Sequence, residues 1–435
     1  MAVETTEDVD ADLRAVLAER SIRTVFQPIV ELPTRQVVGV EALTRGPRDT
    51  ALERPDALFA AARAAGLTGE LDRLCHDVAL TWWETARPPA ELRLFLNCEP
   101  AGLGATSWAA LLATIARYPE VQVVVEITER DLARDPAELL TFTEHLRAAG
   151  VGIALDDVGV DADSLALMPF LMPDVVKLDM GMLRRTPDNA LVRVLSAVRA
   201  HAERRGALVL AEGVETLEHE RLAIAFGATL AQGWYYGAAR PLPEHWLPGG
   251  LPRPRWPLPL HGLDQVTPVG SPYELATARH PAVRVPVDLL IAMRRELEDV
   301  VGRNAGLAVV LITCLDPRNT PAELAEHYAA LATHARFVGA LGADMPAELV
   351  PGLRGSALAP GDPIAREATL VVVSPHFAAA LVARERRDVH PGERRVFDHV
   401  LSYDRTLVVE IARSLMARVL PLADDEPLPE ERRSA

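Results

Sequence analysis

The stretch VGIALDDVGVDADSLALMPFLMPDVVKLD, from Val151 to Asp179, decides how this chain is read. Two short apolar runs, Gly152–Leu155 and Val175–Val176, each break off in charged residues. Asp156 and Asp157 follow the first; Lys177 and Asp179 follow the second. Between them, Ser164 to Leu171 has the length and apolar content of a short helix. Strand, helix and strand in that order form a βαβ unit with ionisable groups at both strand ends. Adjacent carboxylates repel each other and bury only beside a compensating cation. Taken alone, the acidic pair reads as a turn ahead of a helix. Its recurrence along the chain changes that reading.

Working outward, seven strand-like runs each deliver a polar or ionisable residue at their C-terminal end: Glu41, Asn97, Glu126, Asp156, Lys177, Glu212 and Gln232. Helical segments separate most of them. These include Pro55 to Ala65, Thr68 to Thr85, Trp108 to Tyr118, one opened by Asp135–Pro136 and closed by Gly150, and Asp188 to Arg205 ended by Gly206. The spacing of about 20 to 35 residues is that of a β/α repeat. An earlier strand-like run, TVFQPIV (Thr24–Val30), precedes the series. The fold class expected is α/β: a modified TIM (β/α)8 barrel, whose C-terminal strand ends converge on one face. Four carboxylates, two amides and a lysine would meet there. Oxygen donors without His or Cys suit hard divalent cations, Mg2+ or Mn2+, and the Asp156–Asp157 pair could flank two ions.

Composition narrows the alternatives. A net charge of −16 over 435 residues argues against a nucleic-acid polymer as partner, which needs a basic stripe. No run of 18 uncharged apolar residues occurs, so no membrane span is expected. The N-terminus, MAVETTEDVDADLR, is acidic and unlike a secretory signal. Cys75, Cys98 and Cys314 are few and widely separated, which fits a reducing cytoplasm. No Walker loop and no zinc spacing appear among the histidines, and His76–Asp77 reads as structural within its helix.

The runs FQPIV, EALTR, VVEITER, ALDDVG, VVKLD, LAEGVET and AQGW, in this order, resemble the EAL domain, the family of cyclic di-GMP phosphodiesterases. The resemblance implies metal coordination by Glu41, Asn97, Glu126, Asp156 and Asp157. It implies that Lys177 acts on the attacking water, with Glu212 and Gln232 completing the site. Arg45 would hold a substrate phosphate, Gln27 and Leu43 would line the pocket, and Glu129 would brace the loop after Asp157. Cyclic di-GMP would be opened to linear pGpG by a homodimer formed through the barrel. Two departures stand out. Asn97-Cys98-Glu99-Pro100 replaces Asn-x-Ser-Pro, and Asp156-Asp157-Val158-Gly159-Val160-Asp161-Ala162-Asp163-Ser164-Leu165 replaces DDFGxGYSSL. The second predicts slow turnover; the alternative is a receptor that binds cyclic di-GMP without useful hydrolysis.

After about Trp246 the chain turns rich in Pro and Gly. The division expected is an acidic lead-in at 1–20, the barrel at 21–245, a linker at 246–270, a smaller α/β sensory domain at 271–420 and a polar tail at 421–435. In the second domain, Val287–Val301, Pro321–Thr333, His376–Arg384 and Thr406–Val419 read as helices. Leu307–Leu315 and Ala368–Pro375 read as buried strands. FVGALG, ALAPGDP and LVVVSPHFAAALVARE resemble the DICT domain, which implies a signalling partner or ligand at this end. Asp362, Asp398 and Asp404 read as turn residues. The division predicts a barrel that folds and binds without the second domain.

Overall fold

Eight short apolar strands, most of them joined by helices that pack on their outer side, close into a barrel. The computed structural model describes residues 6–98, 105–127, 135–159, 164–185, 188–243, 270–303, 307–313, 321–386 and 395–421. Helix α1 (Thr6–Glu19) leads into β1 (Arg23–Glu31) and β2 (Gln36–Arg45). Then come α2 (Pro55–Ala64), α3 (Thr68–Ala86), β3 (Arg93–Cys98), α4 (Ala105–Ile115), β4 (Gln122–Ile127), α5 (Pro136–Ala148) and β5 (Gly152–Val158). The barrel is completed by α6 (Ser164–Leu171), β6 (Val175–Leu178), α7 (Met180–Arg184), α8 (Asn189–Arg205), β7 (Leu208–Ala211), α9 (Leu217–Ala225) and β8 (Leu230–Gln232).

The strands close in the order β1 to β8. From β2 to β8 every neighbouring pair is parallel, whereas β1 runs antiparallel to both β2 and β8. That reversal is the modification of the barrel. It also places Gln27, near the middle of β1, opposite Glu41. The helix ends follow local chemistry: Asp135 accepts a hydrogen bond from the Glu138 amide, and Asp188 from the Leu191 amide. Gly206 ends α8 at φ 70°, a left-handed conformation that glycine adopts at little cost. Helix α1 is not a detached lead-in, since Leu13 and Val16 are buried with Leu58 of α2 and Leu71 of α3.

The second domain is an eight-stranded mixed sheet. It comprises α10 (Pro272–Thr277), β9 (Val283–Pro286), α11 (Val287–Arg303), β10 (Val309–Thr313), α12 (Pro321–His334), β11 (Phe337–Gly342), β12 (Glu348–Val350) and β13 (Leu353–Ala357). After these come β14 (Glu367–Val373), β15 (Ala378–Glu385), β16 (Val396–Ser402) and α13 (Arg405–Met416). The strand order is β12-β13-β11-β10-β14-β15-β16-β9. Helices α11 and α12 cover one face. Helix α13 covers the other face, and its opposite side packs on α5 and α6 of the barrel.

One expectation fails here. His376–Arg384 is not a helix: Ala378–Glu385 is a strand paired antiparallel with both β14 and β16. An alanine-rich apolar run has no period that separates helix from strand, and two flanking partners override its helix propensity. Asp398 likewise lies within β16, beside Arg386 at 3.0 Å, rather than in a turn. Asp362 and Asp404 do serve as helix caps.

Candidate active site

Strand alternation builds the site one layer above the barrel's apolar plug. Phe95, Val124, Ala154, Val175, Leu210 and Leu230 form a buried cluster inside the barrel. Two residues further along the same strands stand Asn97, Glu126, Asp156, Lys177, Glu212 and Gln232. A spacing of two returns a side chain to the same face, so each lies nearer the C-terminal mouth. On β2 the inner position below Glu41 is Gly39. A Cβ there would stand 3.1 Å from the Phe95 ring, so glycine gives that ring its space.

Lys177 is the centre of the cluster. Its Nζ lies 2.8 Å from Glu126 Oε1, 2.9 Å from Asp156 Oδ1, 2.9 Å from Glu212 Oε1 and 3.7 Å from Glu41 Oε1. Asn97 Nδ2 donates to Glu41 Oε1 at 3.0 Å, and Gln232 Nε2 donates to Glu41 Oε2 and to Gln27 Oε1. Lys177, Glu126, Glu41, Asp156 and Gln232 are buried, while Asn97 and Asp157 reach the surface of the mouth. Asp157 owes its placement to a register shift in β5 between Leu155 and Val158 and to its own φ of 56°. The irregularity turns two adjacent acids toward one site instead of opposite faces. Asp156, Asp157 and Glu212 bring oxygen atoms within 4.8 Å of one another.

The electrostatics follow from one ammonium among several buried acids. Burial opposes the Lys177 charge, but Asp156, Glu126, Glu212 and Glu41 outweigh it and hold its pKa well above the ordinary value. Burial, reinforced by the charge of Glu41, raises Glu126 well above the usual carboxylate range. Burial pushes Glu212 up to about 8, against the pull of Lys177. Burial also raises Glu41, yet Lys177 and the amides of Gln232 and Asn97 prevail and its pKa is lowered. The cluster is short of positive charge. Glu126 Oε2 and Gln232 Oε1 are buried without a hydrogen-bond partner. Unpartnered hard oxygens in an acid-rich pocket fit a divalent cation.

A cavity of about 350 Å³ opens beside Glu41 and Asn97 and is lined by Leu43, Arg45, Phe59, Arg63 and His76 among others. Leu43 and Arg45 thus line a pocket that adjoins the carboxylates. Gln27 reaches the cluster through Gln232. Glu129 lies outside the described residues, as do Cys314 and positions 160–163 of the altered loop. Val158 is fully buried and pairs with Leu178, and Gly159 sits at φ 107° against Met182.

His76, read from the sequence as structural, stands directly beneath the site. Its Nε2 is 2.7 Å from the backbone oxygen of Asn97, so it holds the end of β3. Its spacing from Ala79 and Leu80, three and four residues further along α3, set it on the apolar face of that helix. Its partner in the dipeptide, Asp77, bonds Arg20 and Arg117 on the outside.

A family model described as the EAL domain matches residues 10–240. Another, described as a sensory domain in diguanylate cyclases and two-component systems (DICT), matches residues 271–386. The chain is 30% identical over 253 residues to the uncharacterised protein Rv1354c of Mycobacterium tuberculosis, covering 55% of this chain and 40% of that one. It is 29% identical over 235 residues to the probable cyclic di-GMP phosphodiesterase PdeB of Escherichia coli, covering 53% and 45%. It therefore spans less than half the length of either relative. A solved structure described as the PaMucR phosphodiesterase in complex with c-di-GMP is 26% identical, with 54% of this chain and 97% of that one covered and a TM-score of 0.48. Among the described residues no helix is long and apolar enough to cross a membrane. With a family model spanning more than half its length and a barrel whose strand ends carry the acids, the chain belongs to the EAL domain family and bears a DICT domain behind it.

Proposed function

We propose that the barrel hydrolyses cyclic di-GMP to linear pGpG with two bound divalent ions, Mg2+ or Mn2+. The observation that carries the reading is the ring of Glu41, Glu126, Asp156 and Glu212 around one buried ammonium, with Glu126 Oε2 unpartnered. Glu41, Asn97, Glu126, Asp156 and Asp157 would hold the ions. Bound there, the ions supply a Lewis acid for the phosphate and acidify a water molecule.

The chain's own residues do the rest. Lys177 keeps its proton and donates a hydrogen bond at the centre of the site, where it orients an attacking water. Glu212 completes the acid ring, and Gln232 fixes the rotamer of Glu41 by donating to it. Arg45, on the wall of the adjoining cavity, offers a guanidinium to a substrate phosphate. Leu43 and Gln27 shape the pocket, and Glu129 braces the loop after Asp157. Backbone freedom is reduced where Asp161 replaces the glycine of the family pattern, and turnover is slow for that reason. The protein acts as a cytoplasmic homodimer, and its DICT domain receives the signal that sets the rate.

The test is incubation of the purified protein with cyclic di-GMP and Mg2+ or Mn2+, followed by chromatography of the nucleotides. Formation of pGpG that stops on chelation is the expected result. Tight binding without product under both ions would establish the receptor reading instead.

A further inference from the structure

Helix α6 cannot hold itself in place. It has eight residues and an internal proline, Pro169, both of which make an isolated helix unstable. The last carbonyls of any helix lack partners within it. In α6 those carbonyls are met by two arginines from outside. Arg147 of α5 donates to the oxygens of Leu171 and Met172, the latter at 2.8 Å. Arg413 of α13, in the second domain, donates through Nη1 to the Phe170 oxygen at 2.7 Å and through Nη2 to Glu144 Oε1 of α5 at 2.9 Å. Arg413 is 2% exposed, an unusual depth for a guanidinium.

The capped end of α6 is tied to the strand that carries the acidic pair. Beyond Met172, which has φ 48°, Asp174 bonds Ile153 of β5 twice. Its amide donates to the Ile153 oxygen at 2.8 Å, and its carboxylate accepts from the Ile153 amide at 2.9 Å. Helix α6 also packs directly on β5. Three residues along β5 from Ile153 stands Asp156. We propose that Arg413 is a positioning residue for the barrel's reaction, supplied by the second domain, which fixes α6 and through it the Asp156–Asp157 end of β5. The proposal names the route by which the second domain acts, and it rests on the assignment of the barrel mouth as the reacting site.

The hydrogen bonds of this route run through one residue of α13. Arg204 of α8 also bonds the second domain, at the Pro375 oxygen, 2.9 Å away, but among the described residues it makes no hydrogen bond to α6. Loss of Arg204 weakens the same domain junction while leaving the hydrogen bonds of the relay in place.

The experiment compares hydrogen exchange and kinetics of the full-length wild type with Arg413→Met, Arg413→Lys and Arg204→Ala. Methionine keeps the apolar stem and removes the donors; lysine returns one donor. In Arg413→Met, amide exchange at Gly152–Val158 and Ser164–Leu171 is expected to rise about five-fold or more, with Arg204→Ala unchanged there. The same variant should lose roughly ten-fold in kcat with KM within about two-fold, and Arg413→Lys should recover part of that loss. Unchanged exchange at Gly152–Val158, or an equal rise in Arg204→Ala, overturns the relay whatever the activity. Altered exchange with wild-type kcat overturns the positioning role. A wild type that makes no product counts against the functional reading, while the exchange comparison still decides the relay.

Discussion

Lys177 Nζ and Glu126 Oε1 lie 2.8 Å apart, and neither side chain reaches solvent beyond 1%. Such a pair costs several kcal/mol of desolvation for each ion and survives only with further compensation. Here the surplus is of negative charge, because Asp156, Glu212 and Glu41 share the same ammonium.

Removing that ammonium exposes the surplus. Lys177→Met should destabilise the protein by roughly 3–5 kcal/mol near pH 8, since the buried acids lose the ammonium that sits among them. Added Mn2+ should restore much of the loss by replacing the charge. Thermal unfolding with and without the ion measures both, and a variant equally stable in each buffer would show that the lysine is not the compensating charge.

Removing one acid tests the ligand assignment. Glu41→Ala and Asp156→Ala should abolish metal-dependent hydrolysis, by roughly 100-fold or more, because each deletes a ligand from a site that holds its ions by carboxylates. Without metal, Glu41→Ala should lose roughly 1–3 kcal/mol, since Asn97 and Gln232 lose their shared acceptor and Lys177 loses an ionised neighbour. Turnover retained in both variants would refute the ligand assignment.

Acid sensitivity should come in part from His201. It is buried on α8, its Nε2 donates to the Pro173 oxygen at 3.0 Å, and burial pushes its pKa down to about 4. The unfolded imidazole, with an ordinary pKa near 6.5, takes up its proton before the folded one does. Stability is therefore full above about pH 6.5 and declines as pH falls toward 4, by up to roughly 3 kcal/mol. His201→Gln should flatten that part of the curve of unfolding free energy against pH. An unchanged slope between pH 6.5 and 4 would exclude this source.

The two domains should not separate cleanly. Leu407, Ile411, Ala412 and Leu415 of α13 belong to the same buried cluster as Phe142, Leu146, Phe170 and Leu171 of the barrel. A chain ended after Pro243 uncovers that face, so its melting temperature should fall by roughly 5–10 °C and it should self-associate. A monomeric truncated barrel with the full-length melting temperature would contradict this. The Pro- and Gly-rich break in the sequence marks where the chain crosses between the two folds, and it carries no information on whether their surfaces adhere.

Much of the barrel and its acid ring was legible because strand periodicity and strand-end position are local properties. Glu41, Asn97, Glu126, Asp156, Lys177, Glu212 and Gln232 each end a short apolar run, and the β/α spacing alone implies one common mouth. The tertiary structure decided what distance and partner decide. Lys177 became the shared counter-ion of four acids because parallel registry stacks their strand ends within 4 Å of its ammonium. His76 came beside the backbone of Asn97 because α3 packs on the outer face of the barrel wall, where Ala79, Leu80 and Trp83 share a buried cluster with Leu94 and Leu96. The run at 378–385 became a strand because β14 and β16 flank it. Arg413 reached α6 across 243 residues of chain. Contacts between residues so far apart leave no periodic trace, since they depend on how finished elements pack rather than on the order of side chains within any one of them.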